Sequence, residues 1–229
     1  MNICIIPARR GSKRIKLKNI KLFFGKPMIS WAIETAKKCK VFDDVIVSTD
    51  DIEIKTISEQ HGAKVPFLRP SELAEDQVGT VPVIKHAIKY LSKKKILPDF
   101  VCCLYACSPF VTIDDLLNSF KIIKDKDYEF VYPVAEFPHP SYRAMKRSKN
   151  GKMEFVFPEY EMTNTQDLEN TFHDVGQFYW GKTISWLKKK KMHSNGYGIV
   201  SPKWKFVDID DIDDWKKAEL LFKIKKNRE

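Results

Sequence analysis

Short apolar runs alternate, along the first half of this chain, with longer stretches whose apolar residues recur at helical spacing. Asn2 to Pro7 is the first run and predicts a buried strand. Pro27 to Lys40 reads as a helix, with Pro in its first turn and Met28, Trp31, Ala32, Thr35 and Ala36 on one face. Val45 to Ser48 is a short buried strand. Thr49-Asp50-Asp51 then caps a helix from Ile52 to His61, Gly62 ends that helix, and Val65 to Leu68 gives a third strand. Alternation of this kind predicts right-handed crossovers and an α/β fold with a mainly parallel sheet.

The pattern continues with a helix over Val81–Lys93 and a strand over Phe100–Leu104, apolar on both faces as a central parallel strand is. A further helix starts near Thr112, and Tyr128 to Val134 is the fifth strand. From Ala135 to about Thr171 the regularity lapses. Pro138, Pro140, Pro158 and Asn150-Gly151 predict irregular structure containing a hairpin, Met145–Lys149 against Lys152–Val156. A long excursion from an α/β core serves as a lid, a binding loop or an oligomer contact. Gln177–Trp180 resumes strand, Ile184–Lys191 is a short helix, Tyr197–Val200 is extended, and Ile212–Lys225 forms a terminal helix.

Composition narrows the classes. With 229 residues, 43% of them hydrophobic and 12% aromatic, the chain can bury a core and is not disordered. No apolar run is long enough to cross a bilayer. Arg9-Arg10 is followed by lysines where a twin-arginine signal needs an apolar region, so the expected location is cytoplasmic. Cys4, Cys39, Cys102, Cys103 and Cys107 are odd in number and mostly in apolar surroundings, which suits reduced thiols better than a disulfide frame or a zinc site. The net charge of +10 admits nucleic acid as a partner. Yet Lys93–Lys95 and Lys188–Lys191 lie at helix ends, where cations complement the dipole, and no aromatics are interleaved with them for stacking.

Two constellations carry chemistry. The first strand opens into Ala8-Arg9-Arg10-Gly11-Ser12-Lys13-Arg14, with Lys16, Lys18 and Asn19 following. A glycine that lets backbone amides turn, together with cations, is suited to phosphate, although a solvated basic turn needs no ligand. The loop is neither a Walker P-loop nor a dinucleotide fingerprint. Its place at a strand's carboxyl end is where ligands of such sheets sit. The second constellation is Asp208 and Asp210, flanked by Val207 and Ile209. Residues two apart in a strand share a face, and a pair of hard oxygen ligands is how Mg²⁺ is commonly held. The competing reading is that the acids from Asp210 to Asp214 cap the last helix.

In order along the chain, Ala8-Arg9-x-Gly11-Ser12-Lys13, Lys18-Asn19, Ser48-Thr49-Asp50, Arg69-Pro70-x-Glu72-Leu73-Ala74-x-Asp76, Ser108-Pro109 and Asp208-Ile209-Asp210 resemble the cytidylyltransferases that activate nonulosonic, sialic-type acids. Arg143-Ala144, Thr165-Gln166-Asp167-Leu168-Glu169 and His173 to Gly181 resemble the pseudaminic acid branch of that family. The resemblance implies a Rossmann-like sheet of the nucleotide-diphospho-sugar transferase type. It implies one domain over 1–229, with 136–171 as an inserted dimerisation and substrate-binding segment, and hence a homodimer.

The resemblance also implies roles. Arg9, Gly11, Ser12, Lys13, Lys18 and Asn19 would hold the triphosphate of CTP. Arg69 and the backbone at Val78 would read cytosine, and Thr80 would face the ribose. Asp208 and Asp210 would hold Mg²⁺. Arg143, Gln166, Asp167, His173, Gln177 and Tyr179 would meet the sugar acid. Arg9, Lys13, Lys18, Asp208 and Asp210 form the implied catalytic set. His173 reads equally as a general base or as an orienting group. The implied reaction transfers CMP to pseudaminic acid and releases pyrophosphate. N-acetylneuraminate or legionaminate is the alternative acceptor, and a non-catalytic basic RNA-binding module is the alternative from another class. Three residues depart from the family pattern: Arg10 where Gly or Ser is usual, Asn164 where Arg is expected, and Tyr105 in place of Gln.

Overall fold

Alternate residues of the first strand face opposite ways, and that alternation sets up both layers of the core. The computed structural model describes residues 1–188, 191–193, 195–202 and 204–226. In β1 (Asn2–Pro7), Cys4 and Ile6 pack on one side and Ile3 and Ile5 on the other, all fully buried. The first side is covered by α1 (Met28–Lys38), α2 (Ile52–Gln60) and α4 (Ile113–Asp125), through residues such as Ile29, Ile33, Ile54 and Leu116. The second is covered by α3 (Thr80–Lys93) and α5 (Thr183–Lys188), through Ile84, Ala87, Ile88 and Trp186.

The other strands of the main sheet are β2 (Asp44–Ser48), β3 (Phe100–Leu104), β4 (Phe130–Glu136), β5 (Phe172–Asp174), β6 (Phe178–Lys182) and β7 (Gly196–Val200). Together with β1 they form one seven-stranded sheet, ordered β7-β4-β6-β3-β1-β2, with β5 beside β4. β1 pairs in parallel with β2 and β3, and β7 pairs in parallel with β4. β6 is antiparallel to both β3 and β4, and β5 is antiparallel to β4. The expected mainly parallel α/β sheet is therefore present, with a reversed strand at its centre.

Local chemistry explains most boundaries. Asp51 accepts the Ile54 amide at 2.9 Å and caps α2, and Gly62 leaves that helix at φ +86°. Thr112 and Asp115 form a reciprocal capping box that starts α4 where the sequence predicts it. The expected strand over Val65–Leu68 is corrected: this segment touches the sheet only at two single bridges, Lys64 against Ile46 and Leu68 against Thr49. Pro66 has no amide to donate, so a continuous ladder cannot form there. The expected helix over Ile184–Lys191 ends at Lys188 within the described residues, and Lys189 and Lys190 lie outside them. The predicted hairpin is present but short, Met145–Arg147 against Met153–Phe155, with Gly151 at φ +91° in its turn.

A third apolar cluster lies to one side of the sheet. Ile15, Phe23, Met28 and Phe110 meet Val207, Ile209 and, from α6 (Ile212–Lys226), Trp215, Ala218 and Phe222. Phe23 makes edge contacts with Trp215 and Phe222 at 5.5 and 5.1 Å between ring centroids. This cluster joins the chain's last helix to its first loop. Among the described residues no helix is long and apolar enough to cross a membrane.

The tightest backbone approach is at Gly181 in β6. A Cβ there would press on Trp186 Nε1, which donates to Val101 O at 3.0 Å, and would lie 2.7 Å from Phe130 Cε1. Gly181→Ala is expected to cost about 1–3 kcal/mol by overpacking, read as a lower denaturant midpoint. Gly11→Ala, which meets nothing within 4 Å, should move stability by no more than about 0.5 kcal/mol. An unshifted midpoint for the Gly181 variant would contradict the packing of β6 on Trp186.

Candidate functional site

The loop after β1 is pinned at three points, and the pinning decides which side chains are left to face outward. Ile15 is buried in the third cluster. The Arg10 amide donates to Asp50 Oδ1 at 3.1 Å, and its guanidinium pairs with Asp51, the cap of α2. Burial works against the Asp51 carboxylate, but the Ile54 amide and Arg10 outweigh it and hold the carboxyl below its ordinary value. The Arg10 departure thus ties the loop to α2. Asn19 donates from Nδ2 to Arg9 O at 2.9 Å and accepts from Cys107 Sγ at 3.4 Å, so its amide braces the loop from below.

Arg9, Ser12, Lys13, Arg14 and Lys18 remain free of that brace and line a cleft of about 630 Å³. Gly11 does not line it, and its φ is not left-handed. The loop therefore turns at this glycine without a left-handed φ.

The opposite wall is built by alternation without a strand. Residues 206–210 pair with no sheet, which corrects the expectation that Asp208 and Asp210 share a strand face. Val207 and Ile209 are nevertheless buried in the third cluster, and Asp208 and Asp210, which follow each of them, line the cleft. Partial desolvation, and then the neighbouring Asp210 charge, push the Asp208 carboxyl above its ordinary value. Asp210 Oδ2 lies 2.8 Å from Arg14 Nη2, and its Oδ1 is 3.7 Å from Lys18 Nζ, which also donates to Ile209 O. Capping of α6 falls to the later acids. Asp214 accepts the amides of Asp210 and Asp211, and Asp211 accepts those of Asp213 and Asp214.

Among the described residues no group of three or more His, Cys, Asp or Glu side chains is gathered for a metal. Asp208 and Asp210 do fit a hard cation that keeps water and phosphate in its shell. Two carboxylates close enough for one to raise the other are a charge pair that such an ion relieves.

The floor carries Arg69, whose side chain is 3% exposed. Its Nε and Nη2 have no hydrogen-bond partner, and Asp50 Oδ1 stands 3.6 Å from Nη2. Burial pulls the guanidinium below its ordinary value. A buried donor left without a hydrogen bond is costly, and at Arg69 the facing Asp50 charge offsets that cost only in part. Val78, Gly79 and Thr80 continue the wall into α3, and Thr80 Oγ1 shares a hydrogen bond with Tyr105 Oη at 2.6 Å.

The residues implied for the sugar acid are not brought to this cleft. Arg143 spends its guanidinium on the carbonyls of Glu161 and Thr163. Gln166 and Asp167 lie exposed in a 3₁₀ turn, where Asn164 Nδ2 donates to Asp167 Oδ2 at 3.0 Å. His173 bonds through Nδ1 to Asp174 O, and Gln177 donates to Lys205 O at 3.3 Å. Tyr179 is 2% exposed and donates to Asp174 Oδ2 at 2.6 Å. Of that region only Gly176 reaches the cleft wall. Three charged cleft residues had no role from the sequence: Arg14, Glu75 and Asp76. Their signal was charge, since Arg14 extends the basic run and both acids stand in the quoted Arg69–Asp76 segment.

Comparison with known proteins gives a consistent set of likenesses. Residues 3–197 match the family model described as Cytidylyltransferase. The chain is 38% identical over 226 residues to the pseudaminic acid cytidylyltransferase of Campylobacter jejuni subsp. jejuni, covering 97% of each. It is 28% identical over 232 residues to the CMP-N,N'-diacetyllegionaminic acid synthase of Legionella pneumophila, covering 97% of this chain and 96% of that one. In fold it is similar to a CMP:2-keto-3-deoxy-manno-octonic acid synthetase solved in complex with CTP, at a TM-score of 0.69 and 16% identity over 98% of this chain and 99% of that one.

Cys107 gives the cleft a chemical probe. Burial pushes its thiol up to about 11, with Lys18 pulling the other way and the Asp208 and Asp210 carboxylates adding to the rise. The thiolate is the nucleophile, so a raised value means little of it near neutrality. Alkylation of Cys107 by iodoacetamide, followed by mass spectrometry, should be slow at pH 7.5 and about tenfold faster for each added pH unit below 11. Rapid labelling at pH 7.5 would contradict the packing described for this wall.

Proposed function

The chain belongs to the cytidylyltransferase family, and on that premise we propose that it transfers CMP from CTP to the anomeric hydroxyl of pseudaminic acid, forming CMP-pseudaminic acid and releasing pyrophosphate. It is a nucleotidyltransferase, and its relatives support a nonulosonic acid as the acceptor. The choice of pseudaminic acid is supported by the higher identity to the Campylobacter enzyme than to the Legionella one, 38% against 28%. The segments Thr165–Glu169 and His173–Gly181 point the same way.

One observation carries the reading. A loop rich in cations and a pair of carboxylates, 191 positions apart at the Lys18–Ile209 hydrogen bond, line the same cleft. In that cleft Arg9, Ser12, Lys13 and Lys18 are assigned to the phosphates, with Arg14 added to them. Asn19 positions Arg9 through its carbonyl. Arg69, a cleft residue whose buried Nε and Nη2 make no hydrogen bond of their own, is assigned to the acceptor edge of cytosine. The acceptor hydroxyl attacks the α-phosphate in line with the departing pyrophosphate, and such a step asks chiefly for positioning and charge neutralisation. Mg²⁺, when bound, neutralises charge on the phosphates, and Asp208 and Asp210 would hold it.

The excursion over 136–171 is assigned to dimerisation within a single catalytic domain. It leaves at β4 and returns at β5, and it exposes Met145, Met153 and Met162. A homodimer would supply the acceptor-side contacts that this cleft does not gather from its own Arg143 and Gln166. Dependence on CTP supports a cytoplasmic site of action.

Pyrophosphate release from CTP and Mg²⁺ should follow addition of pseudaminic acid and exceed that with N-acetylneuraminate or legionaminate. Lys13→Ala and Asp208→Ala should each lower that rate by at least roughly 10²–10³-fold while melting like the parent protein. Near-normal release by either variant removes that residue from the catalytic set. Salt-sensitive RNA retention with no release would favour the RNA-binding alternative.

A further inference from the structure

Two of the cations assigned to the phosphates already hold an anion that belongs to the chain. Arg9 Nη2 stands 2.8 Å from Asp76 Oδ1, and Lys13 Nζ stands 2.5 Å from Asp76 Oδ2. A pair of cations gripping two oxygens of one group is the contact a phosphate makes. Arg9 Nη1 also donates to Ala74 O at 3.2 Å, so residues 74–76 are drawn down onto the basic loop. Lys13, and then Arg9, hold the Asp76 carboxyl below its ordinary value.

The surroundings suit exchange. Asp76 lies between the 3₁₀ turn Ser71–Leu73 and α3, outside any helix or strand. Lys13 is 82% exposed, and exposed ion pairs contribute little to stability, so releasing this one costs little. A polyphosphate tail carries several charges and makes charge-assisted bonds to the same two side chains. It cannot share them with an adjacent carboxylate without strong repulsion.

We propose that Asp76 is the internal counter-anion of the nucleotide site: it occupies Arg9 and Lys13 in the empty cleft, yields them to a polyphosphate, and reclaims them to help expel pyrophosphate. The inference rests on the reading of this cleft as a CTP site. It assigns Asp76 a positioning and releasing role, with no contact to the reacting phosphorus. The same exchange accounts for a carboxylate standing among cations meant for an anionic ligand. A ligand with a single phosphate has no second group with which to displace it.

Titration calorimetry with pyrophosphate, CTP and CMP, with and without Mg²⁺, tests this. Asp76→Asn should hold pyrophosphate and CTP roughly threefold to tenfold more tightly than the wild type, with CMP changed by less than about twofold. Asp76→Glu, which keeps the charge, should stay near wild type. Glu75→Gln removes a neighbouring charge of the same wall and should change pyrophosphate affinity by less than about twofold.

Weaker binding by Asp76→Asn, in Mg²⁺ alone or throughout, overturns the proposal, because Asp76 would then be a ligand or a structural support. Equal tightening of CMP, or equal tightening by Glu75→Gln, also overturns it, because the effect would be general charge. Thermal melting checks that the variants fold. A wild type that binds neither CTP nor pyrophosphate defeats the reading of the cleft and takes this inference with it. A wild type that binds both, with Asp76→Asn unchanged, defeats the inference alone.

Discussion

The contact on which the site depends is the one Lys18 makes with the far end of the chain, its ammonium bonded to Ile209 O and facing Asp210. Nothing in the parallel sheet brings residues 207–210 to the loop after β1. That is done by the third apolar cluster, in which Trp215 and Phe222 of α6 meet Phe23. The cluster holds both charged walls by the same device. Ile15 is buried among the basic residues of the loop, and Val207 and Ile209 are buried on either side of Asp208. Apolar residues set between charged ones therefore fix where the charges can point. An aromatic cluster that lines neither wall directly acts as the hinge pin of the cleft.

Much of this was legible in the sequence because it rests on local rules. Apolar runs gave β1, β2, β3 and β4, and capping chemistry gave the start of α2. The cationic loop and the carboxylate pair were legible as charge patterns, and they do share a cleft. What failed had long-range causes. The reversed direction of β6 leaves no mark on a strand that is buried on both faces, since such a strand reads alike either way. The Val65–Leu68 segment looks like a strand until Pro66 is asked to donate to a ladder. The extended run through Asp208 keeps a strand's alternation but finds no partner strand. The bonds that Arg143, Gln177 and Tyr179 make to Glu161, Lys205 and Asp174 are likewise set by the fold and leave no mark in the sequence.

Charge explains the site better than net charge does. The excess of +10 suggests a surface made for polyanions, yet the cleft wall carries five cationic and four acidic side chains and is close to balance. Five cations gathered without partners would repel one another and disorder the loop that carries them. Pairing Arg14 and Lys18 with Asp210, and Arg9 and Lys13 with Asp76, relieves that repulsion while no ligand is bound. Most of these pairs are exposed to solvent, which keeps them weak enough to exchange. A site that must bind a highly charged substrate and then part from a highly charged product is better served by self-neutralised cations than by bare ones. Bare cations would hold the product as firmly as the substrate. Lys37, Lys38, Lys93, Lys223, Lys225 and Lys226 stand in the last turns of α1, α3 and α6 and line no part of the cleft, so the basic composition points to a partner that the balanced cleft does not require.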